Sequence, residues 1–165
     1  MKEATHIERA GFAIRDYRPE DFELLWRIDQ RCFPAGISYS QSDLDSFIAD
    51  RDAVTLVAEF SDTDSASGDR IAGFVVAHAT GPGYGRVLTL DVVPEARRFG
   101  LGSRLMNACE ERLRALECKE VYLETAVNNE AALRLYRKLG YEVLRVLPQY
   151  YSSHSLDAFQ MGKKL

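Results

Sequence analysis

The chain has 165 residues, 46% of them apolar and 28% charged, and a net charge of −4. That length suits one domain with a single substantial core, and the composition is that of a globular protein rather than a disordered or fibrous one. The acidic balance argues against a general nucleic-acid binder, and no apolar run approaches the ~20 residues that a bilayer span needs.

The opening "MKEATHIERAGF" mixes charges of both signs and lacks the apolar stretch of a signal peptide. Cys32, Cys109 and Cys118 are odd in number and fit no metal-ligand spacing. Reduced thiols in a cytoplasmic protein, with no metal and no membrane association, are therefore expected.

In chain order, "FAIRDYR" (12–18) alternates as a first strand. "PEDFELLWRIDQRCF" then places Phe22, Leu25, Ile28 and Cys32 at helical spacing, with Pro19 and Asp21 as start signals. "PAGISYS" interrupts, and "QSDLDSFIAD" gives a short second helix with Leu44, Phe47 and Ile48 on one face. "AVTLVAEF" is a strand by its β-branched content. The polar "SDTDSASGD" is a loop rather than a linker, since neither flank would form a core alone. "RIAGFVVAHAT" and "GRVLTLDVV" are two strands joined through "GPGYG", a hairpin signal.

In the second half, Leu101, Leu105, Cys109 and Leu113 recur at i+4 steps, an amphipathic helix beginning near Phe99. "EVYLETAV" is a strand, and "NEAALRLYRKLG" a helix with Ala132, Leu135, Tyr136 and Leu139 in one stripe and Gly140 as its stop. "YEVLRVL" and "DAFQMGKKL" close the chain as strands around the loop "PQYYSSHS". The order β-α-α-β-β-β-α-β-α-β-β predicts an α/β fold in a single domain over 1–165. Its mixed sheet has antiparallel strands early and a β-α-β crossover in the middle.

The junction "VVPEARRFGLGSRL" holds Arg97, Arg98, Gly100 and Gly102 between a strand end and a helix start. Such a turn can be merely solvated. A helix N-terminus, however, offers free N–H groups and partial positive charge, glycines admit a bulky anion, and arginines add counter-charge. It is neither a Walker A loop nor Gly-x-Gly-x-x-Gly, and it suits a pyrophosphate.

This stretch resembles motif A of the GNAT acyl-CoA N-acyltransferases, whose Gln/Arg-x-x-Gly-x-Gly/Ala loop holds the coenzyme A pyrophosphate. The likeness runs on through "VYLETAVNNEAALRLYRKLGYEVLRVLPQYYSSHSLDAFQM", which is similar to N-terminal protein acetyltransferases of the RimI type. It covers roughly residues 88–165; the first half agrees in element order and in the "RCFP" after the first helix.

The resemblance implies the GNAT fold, a splayed sheet of six to seven strands with about four helices, and acetyl-CoA as cofactor. The cofactor would run along Leu90, Asp91, Val92 and Val93, whose backbone is freed where two strands part. It would continue over Arg97, Arg98, Phe99, Gly100, Leu101, Gly102 and Ser103. Asn129 matches the family's pantetheine contact, although it serves equally as an N-cap.

For chemistry, the resemblance marks Glu124 as general base and Tyr136, twelve residues on, as general acid near the sulfur. By alternation Tyr122 and Glu124 face away from Val121 and Leu123, so Glu124 is also readable as a rim residue in a surface salt bridge. Tyr136 lies on an apolar stripe and is also readable as a core tyrosine with one hydrogen bond. Tyr150 and Tyr151 match a pair that covers the acceptor peptide's first residues. Phe33, Pro34, Ile37 and Tyr39 would form the opposite wall.

"FPAGISYS" lacks the tryptophan that often follows Phe-Pro in the RimI type, which leaves the accepted first residue open. The acceptor is a protein or peptide N-terminus, or a small-molecule amine such as a polyamine, amino acid or aminoglycoside. A catalytically silent acyl-CoA-binding module is the other reading. The protein is expected to be a monomer or homodimer. His6, His78 and His154 are scattered, and Asp62, Asp64 and Asp69 read as a solvated loop.

Overall fold

The computed structural model describes residues 11–61 and 69–165. His6, Asp62 and Asp64 lie outside the described residues, and Asp69 is exposed. The elements run β1 (Phe12–Asp16), α1 (Phe22–Cys32), α2 (Gln41–Ala49), β2 (Ala53–Phe60), β3 (Ile71–Gly81) and β4 (Tyr84–Val92). They continue with α3 (Leu101–Ala115), β5 (Glu120–Ala126), α4 (Glu130–Lys138), β6 (Glu142–Tyr151) and β7 (Leu156–Lys164). This is the order read from the sequence.

Among the described residues seven strands form one sheet in the order β1-β2-β3-β4-β5-β7-β6. Every neighbouring pair is antiparallel except β4 and β5, which are parallel across the α3 crossover. Residues 71–77 of β3 are buried without a break, so helices cover both faces of the sheet there. The stripe predicted for α3 lies in this core, with Leu101, Leu105, Cys109 and Leu113 at most 1% exposed. Within α4, Leu133 and Tyr136 are buried, and the rest of the predicted stripe is half-buried.

Strand β1 ends at Asp16 and the β3–β4 turn is shorter than "GPGYG", and two further boundaries that differ from the sequence reading bear on the site. Helix α3 starts at Leu101, because Gly100 adopts the left-handed conformation (φ 75°) at its N-cap. Strand β6 runs on to Tyr151, which puts Tyr150 and Tyr151 on the strand and leaves Ser152–His154 as a one-turn connection. The register shifts between Leu147 and Tyr151, so Pro148, which has no N–H to give the ladder, sits where pairing is interrupted.

The feature that positions the site is the parting of β4 from β5. Their pairing begins at Tyr84↔Glu120 and ends at Val87↔Leu123, although both strands continue. On its other edge β4 pairs Thr89 with Val76 but Val87 with Ala77, so Leu88 is an extra residue in the ladder. A bulge bends and twists its strand. Here it turns β4 away from β5 at the point where their pairing stops.

Leu105→Ala would empty a fully buried position at the centre of α3. It should cost about 2–5 kcal/mol of unfolding free energy, measured by urea denaturation, if the core is packed around that helix.

Candidate active site

Two cavities open along the gap between β4 and β5. One, of about 760 Å³, is lined by Arg97, Arg98, Gly100, Leu101, Gly102 and Ser103 at the start of α3. The other, of about 790 Å³, is lined by Phe33, Pro34, Ile37, Tyr39, Glu124, Tyr150 and Tyr151. They share Cys32, Phe33, Leu90, Asn129, Ala132 and Tyr136. A third cavity, of about 440 Å³, lies between β2, α2 and the end of α3 and contains none of the predicted residues.

In the first cavity the backbone at the start of α3 is open to a ligand. Gly100 needs its positive φ, and a Cβ placed there would meet nothing within 4 Å, so the approach to the N–H groups of α3 is open. At Gly102 a Cβ would come within 3.1 Å of Leu135, so glycine lets α4 close against the turn. Arg97 folds back, its Nε donating to the Val92 carbonyl at 2.9 Å. Arg134 and Lys138, on α4, add two cations to the lining. Sequence reading passed over both; their positions opposite the apolar stripe were the available signal.

The strand residues divide by parity. Val93 donates its N–H to Ala72 of β3 at 2.9 Å, so Asp91 and Val93 direct their backbone groups toward β3 while Leu90 and Val92 direct theirs into the gap. Leu90 and Val92 line the first cavity, but Asp91 and Val93 line neither, and both are buried. Phe99, 36% exposed, also lies outside both linings. The Val92 carbonyl is taken by Arg97 and, at 3.5 Å, by the Cys32 thiol. The Leu88 carbonyl accepts the Tyr39 hydroxyl at 3.1 Å.

Asn129 caps α4, accepting the Ala132 N–H at 3.2 Å, and also lines both cavities. Tyr136, projecting from α4, is buried where the cavities meet, and its hydroxyl has no hydrogen-bond partner among the described residues. Burial pushes its pKa well above the usual phenol value, and the nearby Asp91 and Tyr151 push it further. The proton is therefore held on the oxygen across the neutral range.

Glu124 is in the second cavity, but it is not free. Arg86 Nε donates to one carboxylate oxygen at 3.1 Å and Gln160 Nε2 to the other at 3.3 Å. Arg86 also donates to the Tyr150 hydroxyl at 3.1 Å. The salt bridge read as the plainer alternative thus exists, inside the cavity rather than on an outer surface; the Glu124 side chain is 9% exposed. Arg86 was not singled out from the sequence; a lone cation in an apolar strand was its signal.

The connection after β6 reaches the loop after α1. His154 Nε2 lies 2.6 Å from the Ala35 carbonyl, and Ser153 Oγ donates to the Gly36 carbonyl at 3.5 Å. These two contacts bridge the walls of the second cavity. His78 instead bonds the Phe47 carbonyl, far from the chemistry.

Because Asn129 caps α4 with its side chain, Asn129→Ala should cost about 1 kcal/mol of stability. Urea unfolding of the ligand-free protein reads that loss separately from any effect on ligand binding.

Known proteins resemble the chain in sequence and in fold. An N-alpha-acetyltransferase of Sulfurisphaera tokodaii is 37% identical over 82 residues, which are 49% of this chain and 48% of that protein. The match spans about half the length of that relative and 56% of the N-alpha-acetyltransferase 20 of Dictyostelium discoideum. Ard1 from Thermoplasma volcanium superposes with a TM-score of 0.81 at 28% identity, over 93% of this chain and 97% of that one. Arabidopsis thaliana NAA60, in a crystal structure with acetyl-CoA, gives a TM-score of 0.82 at 25% identity, over 94% and 99%. Residues 22–141 match the acetyltransferase (GNAT) family, and the chain belongs to that family.

Proposed function

We propose that this chain is an acetyl-CoA-dependent N-acetyltransferase of the RimI type, acting as one domain over 1–165 on the N-terminal α-amino group of a protein or peptide. The observation that carries this reading is the meeting of two cavities at Tyr136, one with an anion-binding turn and one with a carboxylate on its wall. The relative named an N-alpha-acetyltransferase and the acetyl-CoA bound by NAA60 support it. Three free cysteines fit a reducing, cytoplasmic setting.

The residues present fit the cofactor. Arg97, Arg98 and the exposed N–H groups of α3 would hold the pyrophosphate, Arg134 and Lys138 would add positive charge, and Leu90 would offer unpaired backbone to an extended amide chain. Bound there, acetyl-CoA supplies an acetyl thioester open to attack by an amine.

The protein's own groups handle protons and geometry. An α-amino group, with a pKa near ~8, becomes neutral far more readily than a lysine at ~10.4. Glu124 takes the proton from the amine, with Arg86 and Gln160 fixing the carboxylate in orientation. Tyr136 donates a hydrogen bond to the departing sulfur. Its raised pKa widens the gap to a thiol's ~8.5, so it stabilises developing charge before any full proton transfer. Tyr39, Tyr150 and Tyr151 line the acceptor side, and placement of the amine does much of the remaining work.

Coenzyme A should raise the melting temperature of the protein, because a ligand selective for the folded state stabilises it by mass action. Gly100→Asp brings a like charge to the pyrophosphate and strains the left-handed position, so that shift should largely vanish. An unchanged shift in the variant would remove the phosphate cradle from the argument.

Glu124→Gln should lower kcat by ~10²–10⁴-fold with little change in coenzyme A affinity, the range for a lost general base. Tyr136→Phe keeps the ring packing and should also depress turnover. Steady-state kinetics with an N-terminal peptide, beside a panel of small amines, checks both residues and the acceptor class. Full activity in both variants would leave proximity alone as the mechanism.

A further inference from the structure

Beneath the meeting point of the cavities lie two carboxyls that the mechanism above does not use. Asp29 on α1 is 0% exposed and Asp91 on β4 is 1% exposed. Asp29 Oδ2 accepts the Tyr39 N–H at 2.7 Å and Gln30 Nε2 at 3.3 Å, while Asp91 Oδ1 accepts the Thr89 hydroxyl at 2.6 Å. That leaves one buried oxygen on each without any other partner, Asp29 Oδ1 and Asp91 Oδ2. Cys32 of α1 bonds the Val92 carbonyl next to Asp91 and Tyr39, whose N–H is on Asp29, bonds the Leu88 carbonyl, so the two carboxyls are brought together between these bonds. Two buried carboxylates in contact would repel and leave both oxygens unsatisfied; one proton between them cures both faults.

We propose that Asp29 and Asp91 are positioning residues that share a single proton, fastening α1 and the Tyr39 wall of the acceptor cavity to the free edge of β4. Asp91 carries the proton. Asp29 already receives two donors that favour its charged form, whereas Asp91 receives one, the Thr89 hydroxyl. The bond Asp91 Oδ2–H to Asp29 Oδ1 continues a chain of contacts: Asp29 holds the Tyr39 N–H, and the Tyr39 hydroxyl holds the Leu88 carbonyl at the bulge. One proton thus spans from the helix to the residue where β4 leaves β5.

The charged and titratable groups facing the pair are few. Arg97 is the cation near Asp91, Cys32 faces both carboxyls from α1, Tyr39 faces Asp29, and Tyr136 faces Asp91 from α4. Burial, and then the negative charge of the carboxyl pair, pushes the Cys32 thiol up to about 11. Burial likewise raises both carboxyls, Asp91 the more strongly because Asp29 adds its charge.

The folded pair therefore holds a proton more tightly than an unfolded aspartate does. Stability falls as pH rises from the ordinary aspartate range toward the pair's own pKa and levels off above it. Past that point two like charges push α1 away from β4 and loosen the acceptor wall.

The test is a pH titration of the protein labelled with ¹³C at aspartate side-chain carboxyls, with urea unfolding over the same pH range. Wild type is compared with Asp91→Asn and Asp29→Asn. An asparagine keeps a donor between the two side chains but needs no shared proton. Two aspartate resonances should titrate together above all others in wild type. The fall in stability with rising pH should be present there and absent from each variant that folds. The acceptor KM of wild type should rise in the same window, with kcat for bound acceptor less affected.

If every aspartate titrates near the ordinary ~3.9, the shared proton is refuted even if no variant folds. If the pair titrates high but the acceptor KM stays flat, the positioning role is refuted. The KM readout rests on the acetyltransferase reading; the carboxyl titration does not, so the failure of one is distinguishable from that of the other.

Discussion

A strand that leaves its neighbour exposes backbone groups that must find partners, and the parting of β4 from β5 after Val87 imposes that demand on the whole site. Several side chains answer it. The Tyr39 hydroxyl takes the Leu88 carbonyl, and Arg97 with Cys32 takes the Val92 carbonyl. Between them the backbone of Leu90 faces the gap. The loop after α1, the turn before α3 and the end of α1 are each drawn to β4 by one of these bonds. The gap is therefore a structured edge with its middle left for a ligand.

Charge is arranged along this edge by sign. The turn before α3 collects Arg97 and Arg98, and α4 contributes Arg134 and Lys138 to the same cavity. The acceptor side carries Glu124 with one matching cation, Arg86. An ion pair that is only partly exposed gains geometry more than stability, because removing each group from water offsets much of the attraction. Its evident effect is orientation: two donors fix both oxygens of Glu124, and Arg86 joins the carboxylate to Tyr150. Burial is the main reason that the Tyr136 phenol stays protonated.

Much of this was legible from residues alone. The i+4 stripe of α3 and the alternation of β5 each depend on local periodicity, which survives any tertiary arrangement that buries one face. The glycines and arginines at 97–102 marked a strand-to-helix turn fit for an anion, because Gly100 and Gly102 have backbone and packing roles that few other residues can fill. Resemblance then singled out Glu124 and Tyr136 for chemistry. Parity within β4 was less legible. Backbone direction alternates with the ladder, so Leu90 and Val92 face the gap while Asp91 and Val93 do not, and only the pairing to β3 says which set is which.

The sequence by itself determined the order of elements, the mixed sheet and the glycine- and arginine-bearing turn before α3, since each rests on short-range pattern and backbone chemistry. Tertiary structure alone decided the bulge at Leu88, because an extra residue in a ladder is defined by its partner strand and leaves no composition signal. It also decided that Tyr150 and Tyr151 end a strand, that Arg86 meets Glu124 across 38 positions of chain, and that Asp29 faces Asp91. These are contacts between distant segments, and their energies come from burial and from satisfying polar groups that no local window of sequence brings together.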